Sequence, residues 1–291
     1  MRILNRRRKN TIPFIILSVI HVVMLIYTVR KKKDKSLLVL LFSNIGFAYL
    51  FEAVVLNFFK GYTYLPKIVK NKVHDNILGA VFSQAIYVPI VATFISAFKL
   101  NWKWKVLFST YFSIIERLFI KWKIFRTKWW KTSYTFVFTF VYFFLSDSWN
   151  KLLRKNYFLV RKITEYLSIY SIGSTGLFFL AIFKNFKLGR GRIHTWKEHY
   201  TMIPFFASSF SLIQMGLNQL KSRRGKLLLL ICVNGIDFIL KRLKLLKDNE
   251  SLKYLILHHL LGYFISKKVL KFVSTTMKSE EIKEQTSFPN K

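Results

Sequence analysis

Five carboxylates fall in or at the edge of long apolar runs: Glu52, Glu116, Asp147, Glu165 and Asp237. A carboxylate in hydrocarbon costs roughly 2.5–3.5 kcal/mol on insertion scales, so each needs a partner or a purpose. Helix spacing separates them. Asp147–Lys151, Asp237–Lys241 and Arg161–Glu165 stand four residues apart, where an ion pair forms along one helix face. These three read as neutralised helix ends. Glu52 and Glu116 have no cation three or four residues away. Arg117 adjoins Glu116 but points about 100° round the helix. Glu52 precedes Lys60 by roughly 12 Å of helix and is the deepest acid. A buried carboxylate without a partner suits proton carriage. The alternative is a protonated side chain hydrogen-bonded to a neighbouring helix.

Gln84 and Pro89 share one apolar run with each other. Pro89 leaves the carbonyl of Ala85 without its helical donor, which implies a kink or a polar cavity beside Gln84. Asn44, Gln214 and Asn218 have the chemistry of interhelical hydrogen bonds, worth about 0.6–2 kcal/mol each. The candidate intramembrane polar site is therefore Glu52, Glu116 and Gln84. Asp75, Asp147, Asp237 and Arg117 are weaker candidates.

Other chemistries lack their residues. The six histidines are scattered, with no His-Glu-x-x-His pair and no Cys/His cluster of zinc spacing, so no metal is expected. Gly189-Arg-Gly191 lacks the rest of any nucleotide loop, and no cofactor is expected. Asn234-Gly-Ile-Asp237 is too short for the aspartate-rich motifs of membrane prenyltransferases. Glu280-Glu281 lie in the C-terminal tail, unlike the Glu-Glu helix of intramembrane CAAX proteases. An enzyme acting on lipid is thus the weakest of the functional readings.

The elements that must position these groups are written in the apolar pattern. The chain has 291 residues, 52% of them hydrophobic, and a formal charge of +35. Its 48 Lys and Arg residues against 13 acids could serve nucleic acid or an anionic membrane surface. The basic residues cluster between apolar runs, and the aromatics lie inside lipid-length runs rather than interleaved on a basic sheet. Nucleic-acid binding is excluded on that ground. Anionic headgroups of the bilayer are the expected partner; the residues name no protein partner.

Runs 12–29, 36–59, 77–98, 166–183 and 200–220 are each long enough to cross hydrocarbon alone, which takes about 20 residues. Runs 106–120, 133–149, 227–240 and 254–266 are weaker but keep the rhythm. The expected fold is all-α, a polytopic transmembrane bundle of about nine helices. No small-residue cleavage site follows the first run, so it reads as a retained helix, not a signal peptide. All seven tryptophans stand at the edges of apolar runs or between them, as in an interfacial belt. Lys and Arg divide almost evenly between alternate loops, so the positive-inside bias gives no orientation. Cys232, the single cysteine, excludes an internal disulfide.

A faint repeat links Ile115-Glu-Arg-Leu-Phe-Ile-Lys121 to Ile236-Asp-Phe-Ile-Leu-Lys241. It gives a basic N-terminus and first helix (1–33), a four-helix unit (34–150), a parallel second unit (151–272) and a polar tail (273–291). Such repeats build many transporters. Chance similarity among apolar segments is the alternative. The tail, with Glu280, Glu281, Glu284 and Pro289, reads as solvated and flexible.

Asp75-Asn-Ile-Leu-Gly-Ala-Val-Phe-Ser-Gln84, Val88-Pro89, Glu116 and Trp129-Trp-Lys-Thr-Ser-Tyr-Thr135 carry a resemblance. Over residues 40–150 the chain resembles a family of uncharacterised multi-spanning membrane proteins from spore-forming Firmicutes. The resemblance implies an all-helical fold in a bacterial plasma membrane and supplies no reaction. By residue type alone, Asp75 and Asn76 read as a helix N-cap, and Trp129, Trp130 and Tyr134 as an interfacial anchor. The leading expectation is a multi-pass protein that binds or transports a lipid or small solute in a polar cavity between helices. The second is a non-catalytic membrane scaffold or assembly factor, linked to sporulation by the resemblance.

Overall fold

The computed structural model describes residues 2–184, 186–189, 194–220, 222–246 and 249–287. The side chains of Arg6, Arg7, Arg8, Cys232, Glu280, Glu281 and Glu284, and all of Arg190, Gly191 and Pro289, lie outside the described set. Apolar runs bounded by basic clusters become helices, and the fold is an all-α bundle. Its helices are α1 (Arg2–Lys32), α2 (Ser36–Glu52), α3 (Lys72–Val81), α4 (Val88–Ala97) and α5 (Trp102–Lys121). They continue with α6 (Thr132–Arg154), α7 (Phe158–Lys184), α8 (Trp196–Gln219), α9 (Arg223–Arg242) and α10 (Asn249–Ser287). Two stretches are wound as π-helix: Ala53–Phe58, which extends α2, and Phe82–Tyr87, which joins α3 to α4. With α3 and α4 joined, the described residues form nine continuous helices.

Four helical stretches are long and apolar enough to cross a membrane: Lys9–Lys32, Ser36–Phe58, Lys72–Ala97 and Phe158–Phe183. They mark the chain as a membrane protein. Run 200–220 does form a helix, α8, but is not among the four; Ser208, Ser209, Ser211, Gln214 and Asn218 dilute its apolar character. The four weaker runs are helical as well, within α5, α6, α9 and α10. The segment expected to be a flexible tail instead continues α10 as far as Ser287.

The chain divides into two compact units. One holds the residues up to Arg161 together with those from Thr276; the other is Lys162–Thr275. In the first unit, a two-stranded antiparallel sheet interrupts the helices. Strand β1 (Tyr62–Tyr64) pairs with β2 (Phe125–Thr127) in the register Tyr62↔Thr127 and Tyr64↔Phe125. The side chain of Phe14 on α1 is fully buried, 4.9 Å from the Phe119 ring of α5. Asn10 and Thr11 tie α1 to the loop after β1 by donating to the carbonyls of Leu65 and Pro66 at 2.8 and 2.9 Å.

That loop is held from α3. The N-cap of α3 is Asn71, whose side chain accepts from the amides of Val73 and His74, and not Asp75 or Asn76. Asp75 lies within the first turn and accepts three loop amides, those of Lys67, Ile68 and Val69, at 2.8–3.0 Å. Asn76 accepts from the Tyr64 amide at 2.7 Å. Loop and strand need these acceptors because their amides have no helical partner.

A buried polar network joins α2, α4, α5 and α6. Asn44 donates to Thr93 and Ser146 at 3.1 and 3.0 Å, and Ser96 donates to Asp147 at 2.7 Å. Lys105 of α5 completes the network by pairing with Asp147. In the second unit, His259 of α10 meets Asp237 of α9 at 2.5 Å, and Asn218 of α8 donates to Ser266 of α10 at 2.9 Å. The three expected four-residue pairs are thus replaced. Asp147 takes Lys105, Asp237 takes His259, and Glu165 takes Lys162 at 2.8 Å, three residues away. For Asp147 and Asp237, packing brings a partner from another helix in place of one from a neighbouring turn.

Candidate functional site

Glu52 ends the regular part of α2, at the junction with the π-helical turn. It is 94% buried, with 6% of its surface exposed. Tyr62 of β1 donates to its Oε2 at 2.5 Å, and Gln84 donates to the same oxygen at 2.9 Å. The other oxygen, Oε1, is buried and has no hydrogen-bond partner. Gln84 lies in the second π-helical turn. A π turn shifts the side chains that follow it round the axis, and such turns often sit at functional sites. Here both turns contribute to one polar contact, between Glu52 and Gln84.

Glu116 approaches from α5. Thr132 donates to its Oε1 at 2.8 Å, and Thr135 donates to its Oε2. The Trp130 indole donates to the Thr135 hydroxyl at 2.8 Å, which turns that hydroxyl's proton toward the carboxylate. Trp130 is therefore not an interfacial anchor but a buried ring, 6% exposed. Its neighbour Trp129 is exposed, and donates to the Phe59 carbonyl at 2.8 Å. Arg117 is exposed, consistent with its turn away from Glu116. Among the described residues, neither Glu52 nor Glu116 forms an ion pair.

One cavity of about 290 Å³ is lined by Glu116, Gln84, Ser83, Thr135 and Thr139. Glu52 is not in its lining but lies behind it, hydrogen-bonded to two residues that are, Tyr62 and Gln84. The rest of the wall is mostly aromatic, including Phe14, Phe51, Tyr64, Phe119, Phe125 and Trp130. No Lys, Arg or His belongs to the lining. Phe47, Ala48 and Phe51 of α2 face Phe138, Val141 and Leu145 of α6 across one end of it. Phe138, Val141 and Leu145 are also exposed, so apolar surface residues belong to the lining.

The structure thus brings Glu52, Glu116 and Gln84 to one place. It leaves Asp75, Asp147, Asp237 and Arg117 elsewhere: Asp75 anchors a loop, Asp147 and Asp237 are paired, and Arg117 is exposed. Tyr62, Trp130, Thr132 and Thr135 belong to the site without having been singled out for chemistry. The stretch 129–135 was the sequence signal for Trp130, Thr132 and Thr135, and Tyr62 had none. No family model, curated protein or solved structure matches the chain.

Proposed function

We propose that this is a multi-pass protein of the plasma membrane whose first unit binds, and carries, a lipid or small solute with an apolar body. The observation that supports this reading is the cavity. It combines an aromatic wall, the carboxylate of Glu116 in that wall with Glu52 behind it, both without ionic partners, and exposed apolar residues of α6 in its lining. A pocket with few polar groups in an apolar wall is the usual form of a small-molecule site. The ligand enters between α2 and α6, sideways from the hydrocarbon. The resemblance to multi-spanning proteins of spore-forming Firmicutes agrees with this placement and adds no reaction. The scaffold reading would instead require a stable partner that co-purifies in mild detergent.

Photolabelling of membranes with a diazirine-bearing hydrocarbon tests the reading. Label should reach peptides that contain Tyr62 and Tyr87, buried residues that meet the probe only through the cavity. Label confined to exposed positions outside the cavity, such as Val137 and Ile20, would contradict it.

A further inference from the structure

The cavity's charge says what it takes. Glu116 is a buried carboxylate in the cavity wall, Glu52 is a second one behind the lining residues Tyr62 and Gln84, and the wall holds no cation, in a chain whose formal charge is +35. Four other described acids have a basic partner, Lys105 for Asp147, Arg154 for Asp34, Lys162 for Glu165 and His259 for Asp237, and buried Asp75 is held by three backbone amides. Buried carboxylates left without such partners are costly, and a cation in the cavity beside Glu116 lowers that cost. Glu52 keeps one buried oxygen free of any hydrogen bond, so its own neighbours do not fully satisfy it.

The walls agree independently. Phe51, Tyr62, Tyr64, Phe125, Trp130 and Phe138 all line the cavity, with ring centroids 4.9–6.1 Å apart from neighbour to neighbour. Rings present negative faces to a cation within about 6 Å, and the attraction rises to about 2 kcal/mol when water is excluded. Aromatic walls also accept apolar substituents. An anion would meet the Glu116 carboxylate, with Glu52 behind the wall, and no donor of positive charge. A neutral lipid would leave both carboxylates uncompensated.

We infer that the occupant is an organic cation, an ammonium or similar centre on an apolar body, held by Glu116, by the charge of Glu52 behind the wall and by the surrounding rings. This rests on the cavity being a ligand site and names the class of its ligand. Tyr62, Gln84, Thr132 and Thr135 are positioning residues, since each donates to a carboxylate and fixes where it stands.

Equilibrium binding of two ions of matched shape tests the inference on the full chain in neutral detergent. Tetraphenylphosphonium should bind at least about tenfold more tightly than tetraphenylborate, a difference of about 1.4 kcal/mol. Glu52→Gln and Glu116→Gln should each weaken phosphonium binding by a similar factor. Trp130→Leu, which keeps both carboxylates, should weaken it less. Glu198→Gln removes the same charge from the capping box of α8 and should change nothing. Circular dichroism confirms that each variant is folded. Equal binding of both ions, binding of neither, or phosphonium binding unchanged in both Glu→Gln variants would overturn the inference. Labelling of Tyr62 and Tyr87 by the neutral hydrocarbon probe would still stand in those cases, so the two readings fail separately.

Discussion

Each acid outside the cavity is explained by what it touches. Asp34, in the turn between α1 and α2, shows the balance best. Partial burial pushes its carboxyl upward, but the Ser36 hydroxyl, Arg154 and the Ser36 amide outweigh that and hold it below its ordinary value of 3.8. Arg154 closes at 2.6 Å and ties the end of α6 to the start of α2. A lowered folded-state pKa stabilises the fold above the ordinary value, and the stabilisation is lost as pH falls through the lowered one. Wild type should therefore lose stability below about pH 4, and Asp34→Asn should lose less over that range. Thermal melts in detergent between pH 3 and 6 measure it. Sequence spacing singled out Glu52 and Glu116 because it sees the absence of a partner on the same helix, and among the described residues neither forms an ion pair. It misassigned the partners of Asp147 and Asp237 because spacing along one helix says nothing about a neighbouring helix, and for Glu165 it chose Arg161 where Lys162, three residues away on the same helix, closes instead.

At the scale of elements, the helices were legible and their ends were not. Three helices stop in the same way: Lys99, Lys123 and Lys244 adopt φ of 52°, 60° and 57°. In each case the next residue, Leu100, Ile124 or Leu245, donates back to the carbonyl five residues before it, at 2.9–3.0 Å. This is the Schellman arrangement, usually marked by glycine in the left-handed position. Lysine there leaves no sequence mark, although its charge suits a helix C-terminus. The two π-helical turns were equally silent, yet they carry Gln84 and follow Glu52. The small sheet was missed because three-residue strands have no period to read. It packs closely all the same: a Cβ added at Gly79 would lie 2.3 Å from the Tyr64 Cβ. Gly79→Ala should push β1 off α3 and cost about 1–3 kcal/mol, read as a fall in melting temperature. Unchanged melting would mean that β1 is not held where the cavity needs it.

For the whole molecule, composition and run length led to an all-α membrane protein. They overstated how many helices are apolar enough to cross on their own. Helices α5, α6, α8, α9 and α10 carry polar groups that the fold uses internally: Glu116, Ser146, Gln214, Asp237 and His259 are all buried. A helix that buries such residues reads as weakly apolar even though its outer face is not. The same trade explains the cavity, where polar groups face inward and Phe138 and Val141 face outward. Native mass spectrometry of the protein released from membranes tests the central claim most directly. Ala48 is buried in the cavity wall, and Ala48→Phe should fill it. Wild type should retain a bound small molecule that folded Ala48→Phe lacks; identical adducts on both proteins would contradict the account.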